Sequence, residues 1–314
     1  MAELREAVPG PLDGERLDRV VAMLIDRPRA AVDALLAAGA VRLGATVVTK
    51  GSRKVRAGER LTVDLPDPGI DPARLADPDV QVPVVHVDDA VVVVDKPAGM
   101  VVHPGAGHAR GTLVQGLLAR YPDLAALATP GAEVRPGVVQ RLDRGTSGLL
   151  VVARTVAARD DLVDQLAGRE VERRYLALLA GEVEADEGVV DAPLGRSTRT
   201  ATLMAVRADG RPARTRYRVL QRLEGATFVE ARLETGRTHQ IRVHARAIGH
   251  PVIGDLRYGG PPATRLAPDR PFLHAAVLGF RHPATGAQVR FESPLPDDLT
   301  GELAAWRNPG GGGA

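Results

Sequence analysis

One stretch constrains the fold more than any other: residues 137–153, Gly-Val-Val-Gln-Arg-Leu-Asp-Arg-Gly-Thr-Ser-Gly-Leu-Leu-Val-Val-Ala. The apolar pair Val138-Val139 leads into Gln140-Arg141-Leu142-Asp143, and a Gly/Thr/Ser turn is followed by an apolar run to Ala153. The pattern reads as strand, sharp loop, strand, with one carboxylate at the mouth of the loop. Gly145 and Gly148 permit a positive φ or a close backbone approach there. Arg141 and Arg144 place positive charge on both sides of Asp143, which suits a polyanionic ligand.

An Asp before Gly-Thr-Ser is most often a turn former whose side chain bonds its own backbone. Two carboxylate chemistries compete with that reading. Phosphotransfer on an Asp-x-Asp-Gly-Thr pattern needs a second acid two residues on, and Gly145 stands there. Glycoside hydrolysis usually needs two carboxylates flanking the bond, and no second acid lies close in sequence.

The 314 residues allow two domains, or one large domain with an appendage. Hydrophobic content of 44% and charged content of 25% are those of a globular protein. A net charge of +2 barely argues for nucleic acid, so the argument passes to local charge. Residues 196–222 hold eight Arg and one acid, Asp209, and residues 15–64 hold ten Lys/Arg against six Asp/Glu. Such clusters are the footprint of an RNA binder. The chain has no cysteine, which excludes disulfides, thiolate chemistry and Cys-type zinc sites and fits a cytoplasmic protein. Met-Ala-Glu-Leu-Arg-Glu lacks the apolar core of a signal peptide. No apolar run approaches 18 residues, so no membrane helix is expected.

In chain order, residues 1–14 read as a loose leader. Helical spacing covers Glu15–Ile25 and Arg29–Ala38, with Gly39 as the stop. Short β segments follow at Val41–Leu43, Thr46–Val48 and Arg60–Val63, making a module over 15–64. Lys50, Arg53, Lys54 and Arg56 supply its phosphate contacts. Residues 65–80, rich in Pro and acid, read as an extended linker. The large domain, 81–307, opens with strands at Val82–His86 and Ala90–Asp95. His103 and His108 lie in a Gly/Pro loop with no third metal ligand beside them, so no metal is expected. Helices are read at Thr112–Tyr121, after Thr155, over Thr238–Ile248 and over Pro296–Arg307. The remainder is a run of antiparallel strands, including Val171–Leu179 with Tyr175. Its Arg-rich part, 196–222, is expected to line an RNA groove. His239 and His244, five apart, are poorly spaced for zinc and read as packing or hydrogen-bonding groups. Residues 308–314 read as a disordered tail.

Arg141-Leu142-Asp143-x-x-Thr146-Ser147-Gly148 resembles the catalytic motif of the RluA-type pseudouridine synthases, with Gln140 where that family usually has His. Three further stretches match in order: Arg173-Arg174-Tyr175-Leu176-Ala177; Thr235-Gly236-Arg237-Thr238-His239-Gln240-Ile241-Arg242-Val243-His244; and Gly249–Asp255 together with Leu273-His274-Ala275. The match spans roughly residues 80–295. The N-terminal segments Glu-Arg-Leu-Asp, Ala-Gly-Ala-Val-Arg-Leu-Gly and Val-Arg-Ala-Gly-Glu-Arg-Leu resemble the RNA-binding module of ribosomal small-subunit protein four.

The resemblance implies an α+β protein: a catalytic domain on a mixed, mostly antiparallel central sheet, with a small N-terminal α/β module. It implies Asp143 as nucleophile, Tyr175 stacked on the target uracil and Arg242 paired with Asp143. It also implies RNA contacts at Arg141 (a wedge into the vacated base stack), Arg144, Arg237, His239 and Gln240. Isomerising uridine to pseudouridine needs no redox cofactor, nucleotide or metal. The sequence carries no Walker loop, no Gly-x-Gly-x-x-Gly and no Cys/His cluster. The expected partner is RNA, foremost large-subunit ribosomal RNA or its assembling particle, with the enzyme a monomer and no membrane involved. Two alternatives stand beside this: a non-catalytic RNA-binding assembly factor on the same scaffold, and a synthase acting on transfer RNA.

Overall fold

The structure is a computed structural model of the chain. It describes all residues except 1, 26–28, 66–74, 106–107, 129–134, 201, 264, 268–269 and 309–314. The chain divides into a small unit (1–71, with 129–132) and a large unit (72–128 and 133–314).

The small unit holds β1 (Ala2–Ala7), α1 (Leu17–Leu24), α2 (Arg29–Ala37), β2 (Val41–Leu43), β3 (Thr46–Val47) and β4 (Arg60–Leu65). Its four strands form an antiparallel sheet in the order β1-β4-β2-β3. Leu17, Val20 and Val21 of α1 meet Leu36, Val41, Leu61 and Val63 in its core. The expected loose leader is corrected here: residues 2–7 are a strand running antiparallel to β4, from Ala2 opposite Leu65 to Ala7 opposite Arg60. Val8, directly after it, is buried, and Leu4 packs on the same core. The pairing covers an edge of β4 that would otherwise present unpaired amides.

The large unit runs β5 (Val84–Val87), β6 (Val91–Lys96), α3 (Leu113–Arg120), β7 (Ser147–Ala153), α4 (Val156–Ala167), β8 (Glu172–Ala180), β9 (Glu187–Asp191), β10 (Leu194–Arg196), β11 (Met204–Val206), β12 (Arg214–Leu223), β13 (Ala226–Leu233), α5 (Gln240–Ala247), β14 (Leu273–Arg281), β15 (Gln288–Glu292) and α6 (Asp297–Arg307). Strands β5-β6-β7-β14-β8-β13-β12-β9 lie in that order in one sheet, with β15 also on β14. Every pairing in it is antiparallel except β7 with β14. The fold is thus α+β on a mixed, mostly antiparallel sheet.

Both faces of the sheet are covered, which is why β7 is apolar without alternation and buried along its whole length. Leu150 and Val152 face a core shared with α3, α5 and α6. Leu149, Val151 and Ala153 face Ala158 and Leu162 of α4. Thr155 caps α4 by accepting from the Ala158 N–H at 3.1 Å. Thr112 and Gln115 form a capping box on α3.

The linker expected over 65–80 is only partly open to description, since 66–74 lie outside the described residues, as do 309–314 of the expected tail. Its second half is packed. Leu75 and Val80 lie against the large core, and the Asp77 N–H donates to the Gln115 carbonyl of α3 at 3.0 Å. Gly116 makes that possible: a Cβ there would stand 2.4 Å from the Val80 carbonyl.

The junction of β7 and β14 fixes the loop before β7. Only His274 with Ser147 and Ala275 with Gly148 pair there. Gly148 has φ 113°, and a Cβ on it would lie 2.3 Å from the Ala275 carbonyl. Gly148→Ala is expected to cost about 2–4 kcal/mol of stability, read as a lower urea midpoint at unchanged m.

Candidate active site

The loop between Val139 and Ser147 carries Asp143 at the mouth of β7, and it is held from beneath. Lys96, at the end of β6 and 0% exposed, donates from Nζ to the carbonyls of Pro97 (2.8 Å), Met100 (2.9 Å) and Arg144 (3.3 Å). Three acceptors match the three donors of an ammonium, although burial and the Arg270 charge pull Lys96 down to about 7. Arg270 donates to the Gly145 carbonyl at 2.6 Å and to Ser147 Oγ at 2.9 Å. Arg144 closes the loop with Gly99 through a backbone bond of 2.8 Å.

From the other side, α5 presents Arg242. Its Nη1 donates to Asp143 Oδ2 at 3.0 Å. Its Nε and Nη2 grip both oxygens of Asp255 at 2.6 and 2.8 Å. The Asp255 side chain is 1% exposed and that of Arg242 7%. The guanidinium also lies 4.9 Å from the centre of the Tyr258 ring. Burial alone would lower the Arg242 pKa; the hydrogen bonds to Asp255 and the charges of both carboxylates overcome it and raise the pKa. Such a fork, charge-assisted at three nitrogens, has one geometry open to it.

Among the described residues Asp143 Oδ1 has no hydrogen-bond partner, and His239 Nε2 stands 3.8 Å from it. His239 begins α5 with φ 56°, a left-handed conformation rare for a residue with a Cβ. Its Nδ1 is 2.6 Å from the Tyr258 hydroxyl, which also accepts from the Met204 N–H at 2.9 Å. Burial holds His239 below its ordinary pKa, so it is neutral at pH 7. Asp143, His239 and Arg242 line a cavity of about 900 Å³, with Tyr175 and Arg173 of β8 on its wall. Burial pushes the Tyr175 hydroxyl up to about 12. A carboxylate oxygen without a hydrogen bond among the described residues, an aromatic ring and a neutral imidazole thus meet in a concave site.

Comparison with known proteins decides what this site belongs to. A sequence model of the family described as RNA pseudouridylate synthase matches residues 90–247. The chain belongs to this family. Uncharacterized RNA pseudouridine synthase YlyB of Bacillus subtilis (strain 168) is 43% identical over 91% of this chain and 92% of its own. Ribosomal large subunit pseudouridine synthase D of Nitrosomonas europaea is 42% identical over 96% of this chain and 87% of its own. Among solved structures, human RNA pseudouridylate synthase domain containing 1 superposes with a TM-score of 0.57 at 28% identity, over 73% of this chain and 89% of that one. The chain is an RNA pseudouridine synthase, an isomerase.

The synthase brings Asp143 and Arg242 into direct contact, and Tyr175 lines the same cavity. Arg141 is exposed at its rim and donates to Thr238 Oγ1 at 3.1 Å. Arg144 and Arg237 also line it, with Arg237 Nε on the Pro212 carbonyl at 3.0 Å. Gln240 is corrected as an RNA contact. It is 3% exposed, and its amide is used up inside the protein: Oε1 accepts from Thr235 Oγ1 and the Arg237 N–H, while Nε2 donates to the Arg214 carbonyl and Thr215 Oγ1. It shapes the 235–237 turn. Lys50, Arg53, Lys54 and Arg56 lie exposed on the small unit.

The Arg-rich run 196–222 does not line the cavity. Arg207 pairs with Asp209, Arg214 and Arg216 with Glu234, and Arg222 with Asp186. His103 and His108 border the cavity. The one three-membered group of metal-capable side chains among the described residues lies elsewhere: His86, Asp88 and His282, joined by hydrogen bonds of 2.6 and 3.0 Å. No helix of the described residues is long and apolar enough to cross a membrane.

Sequence reasoning gave no role to Asp255, Tyr258, Lys96 or Arg270. Asp255 had a visible signal, an acid closing the quoted segment Gly249–Asp255. Asp255→Ala leaves Arg242 buried with one carboxylate. We expect about 3–5 kcal/mol less stability by urea denaturation and turnover down about 100-fold, because the fork that aims Nη1 at Asp143 is gone. Tyr175 gives a pH test. It ionises near 10 unfolded and at about 12 folded, so the folded state holds its proton more tightly. The stability this confers is complete below pH 10 and lost as pH rises through 12. Tyr175→Phe is expected to reduce the fall in urea midpoint between pH 9.5 and 11.5.

Proposed function

We propose that the chain converts specific uridines of large-subunit ribosomal RNA to pseudouridine in the cytoplasm, with Asp143 as the nucleophile. The observation that carries this is the free Oδ1 of Asp143, on a carboxylate whose other oxygen is tied to the Asp255-locked Arg242. The ribosomal substrate is supported by relatives of about this length whose names specify the large ribosomal subunit.

Pseudouridine formation breaks the bond between ribose C1′ and uracil N1. The base turns, C5 bonds to C1′, the C5 proton leaves and N1 gains one. The atoms balance without oxidant or reductant. The uridine must first leave its stack, at a cost of a few kcal/mol that is least in loops. Arg141, at the rim, fills the vacated space. The uracil lies on the Tyr175 ring, whose hydroxyl keeps its proton at neutral pH, and Asp143 Oδ1 is the reacting oxygen. Neutral His239 adds no second positive charge to compete with Arg242 for the carboxylate. Arg144 and Arg237 at the cavity, and Lys50, Arg53, Lys54 and Arg56 on the small unit, meet RNA phosphates.

The test is tritium release from large-subunit ribosomal RNA labelled at uracil C5. Wild type is expected to release label and Asp143→Asn to release none while keeping RNA affinity within a few-fold. Release by Asp143→Asn would remove the nucleophile assignment. Release from transfer RNA alone would move the substrate.

A further inference from the structure

Arg173 is a buried cation in the cavity that the chemistry above does not use. It stands on β8 two residues before Tyr175, so strand alternation sends both side chains to one face. It is 6% exposed and lines the cavity. Its Nε has no hydrogen-bond partner, and no carboxylate of the described residues comes within ion-pair distance of the guanidinium.

The neighbouring arginines show how unusual this is. Arg174, on the opposite face, pairs with Glu172 and Glu230. Arg242, buried to the same degree, has two carboxylates. The backbone also makes room for Arg173: a Cβ at Gly236 would stand 2.8 Å from its Nη1. Burial lowers the Arg173 pKa from its ordinary value, yet a guanidinium stays charged at any working pH. A buried cation without an anion is destabilising, and a ligand that brings the anion removes the penalty.

We propose that Arg173 is the receptor for a phosphodiester of the RNA substrate, that of the nucleotide whose uracil lies on Tyr175. The inference rests on the cavity being the uridine site. Two residues along a strand span about 6.6 Å, which is the reach from a base to the phosphates of its own nucleotide. A guanidinium fork takes two phosphate oxygens at once. A neutral uracil carbonyl would leave its charge uncompensated. The contact also fixes where the ribose lies, since base and phosphate are then held at both ends of one nucleotide. That places C1′ between them, beside Asp143.

The experiment uses the full chain and a large-subunit ribosomal RNA fragment whose modified uridine has first been mapped with wild type. Two further RNAs carry a neutral methylphosphonate 5′ or 3′ to that uridine. One of the two is expected to lower wild-type kcat/KM about 10–100-fold. Arg173→Met is expected to lower it by a similar factor on unmodified RNA, and the two losses should not multiply. Arg173→Lys should recover part of the loss, and the salt slope of binding should flatten by about one for Arg173→Met.

Wild type indifferent to both methylphosphonates, or losses that multiply, would overturn the proposal. A melting temperature several degrees lower in Arg173→Met and Arg173→Gln alike would also overturn it, by making the side chain structural. If wild type forms no pseudouridine in any RNA, the uridine-site reading fails. The salt slope of binding to whole large-subunit ribosomal RNA, wild type against Arg173→Met, then still decides whether Arg173 meets a phosphate.

Discussion

The large unit turns on one guanidinium held between two carboxylates. Arg242 shares its nitrogens between Asp255, gripped by two bonds, and Asp143, reached by one. A buried triad of this kind is weak evidence for stability, because desolvation offsets most of the Coulombic gain. What it supplies is direction. With Nε and Nη2 fixed on Asp255 and one face over Tyr258, only Nη1 is left to hold Asp143, and it can do so from one position. The left-handed His239 at the start of α5 belongs to the same arrangement. It turns the chain so that the helix opens with its imidazole on Tyr258 and its second residue after Gln240 on the two acids.

The sheet order explains how distant residues reach this point. β7 and β8 are consecutive strands joined by α4, yet β14 lies between them. Gly148 of β7 and Tyr175 of β8 both pair with Ala275 of β14, so the strand after the Asp143 loop and the strand of Tyr175 lie two strand spacings apart, about 10 Å. The inserted β14 brings with it the residues just before it, and Arg270 there ties down the carbonyl of Gly145. Lys96 does the same from β6 for Arg144. The Asp143 loop is therefore set by two buried cations on backbone carbonyls, contacts that leave its carboxylate free.

Elements with local signals were legible in the sequence. The apolar run of β7, the Gly stop after α5 and the Thr155 cap each declare themselves within a few residues. β1 did not, because Ala-Glu-Leu-Arg-Glu-Ala has no apolar run and becomes a strand only by pairing with β4, more than fifty positions on. The site divides in the same way. Asp143, Arg242 and Tyr175 sit in recognisable motifs. Lys96 and Arg270 act on carbonyls 48 and 125 positions away, and no periodicity records that. Gln240 was misread for a physical reason. A polar residue in a cationic motif suggests a ligand contact, but its amide has four hydrogen-bonding places, and two backbone groups and two threonine hydroxyls fill them.

The arginine-rich run makes the same point about charge. Counting cations along the chain singled out 196–222, yet Arg207, Arg214, Arg216, Arg218 and Arg222 in it spend their charge on Asp209, Glu234, Glu230 and Asp186. A net charge of +2 leaves few arginines without an acid. What distinguishes the cavity is its imbalance: seven arginines line it against two acids, Asp143 and Glu234. Asp143 is committed to Arg242 and Glu234 to Arg169, Arg214 and Arg216, so the wall at Arg173 keeps a net positive potential. Binding there depends on how charge is paired in three dimensions. Strand parity already divides Arg173 from Arg174: one shares the face of Tyr175 and the other faces the glutamates, though they are adjacent and chemically identical.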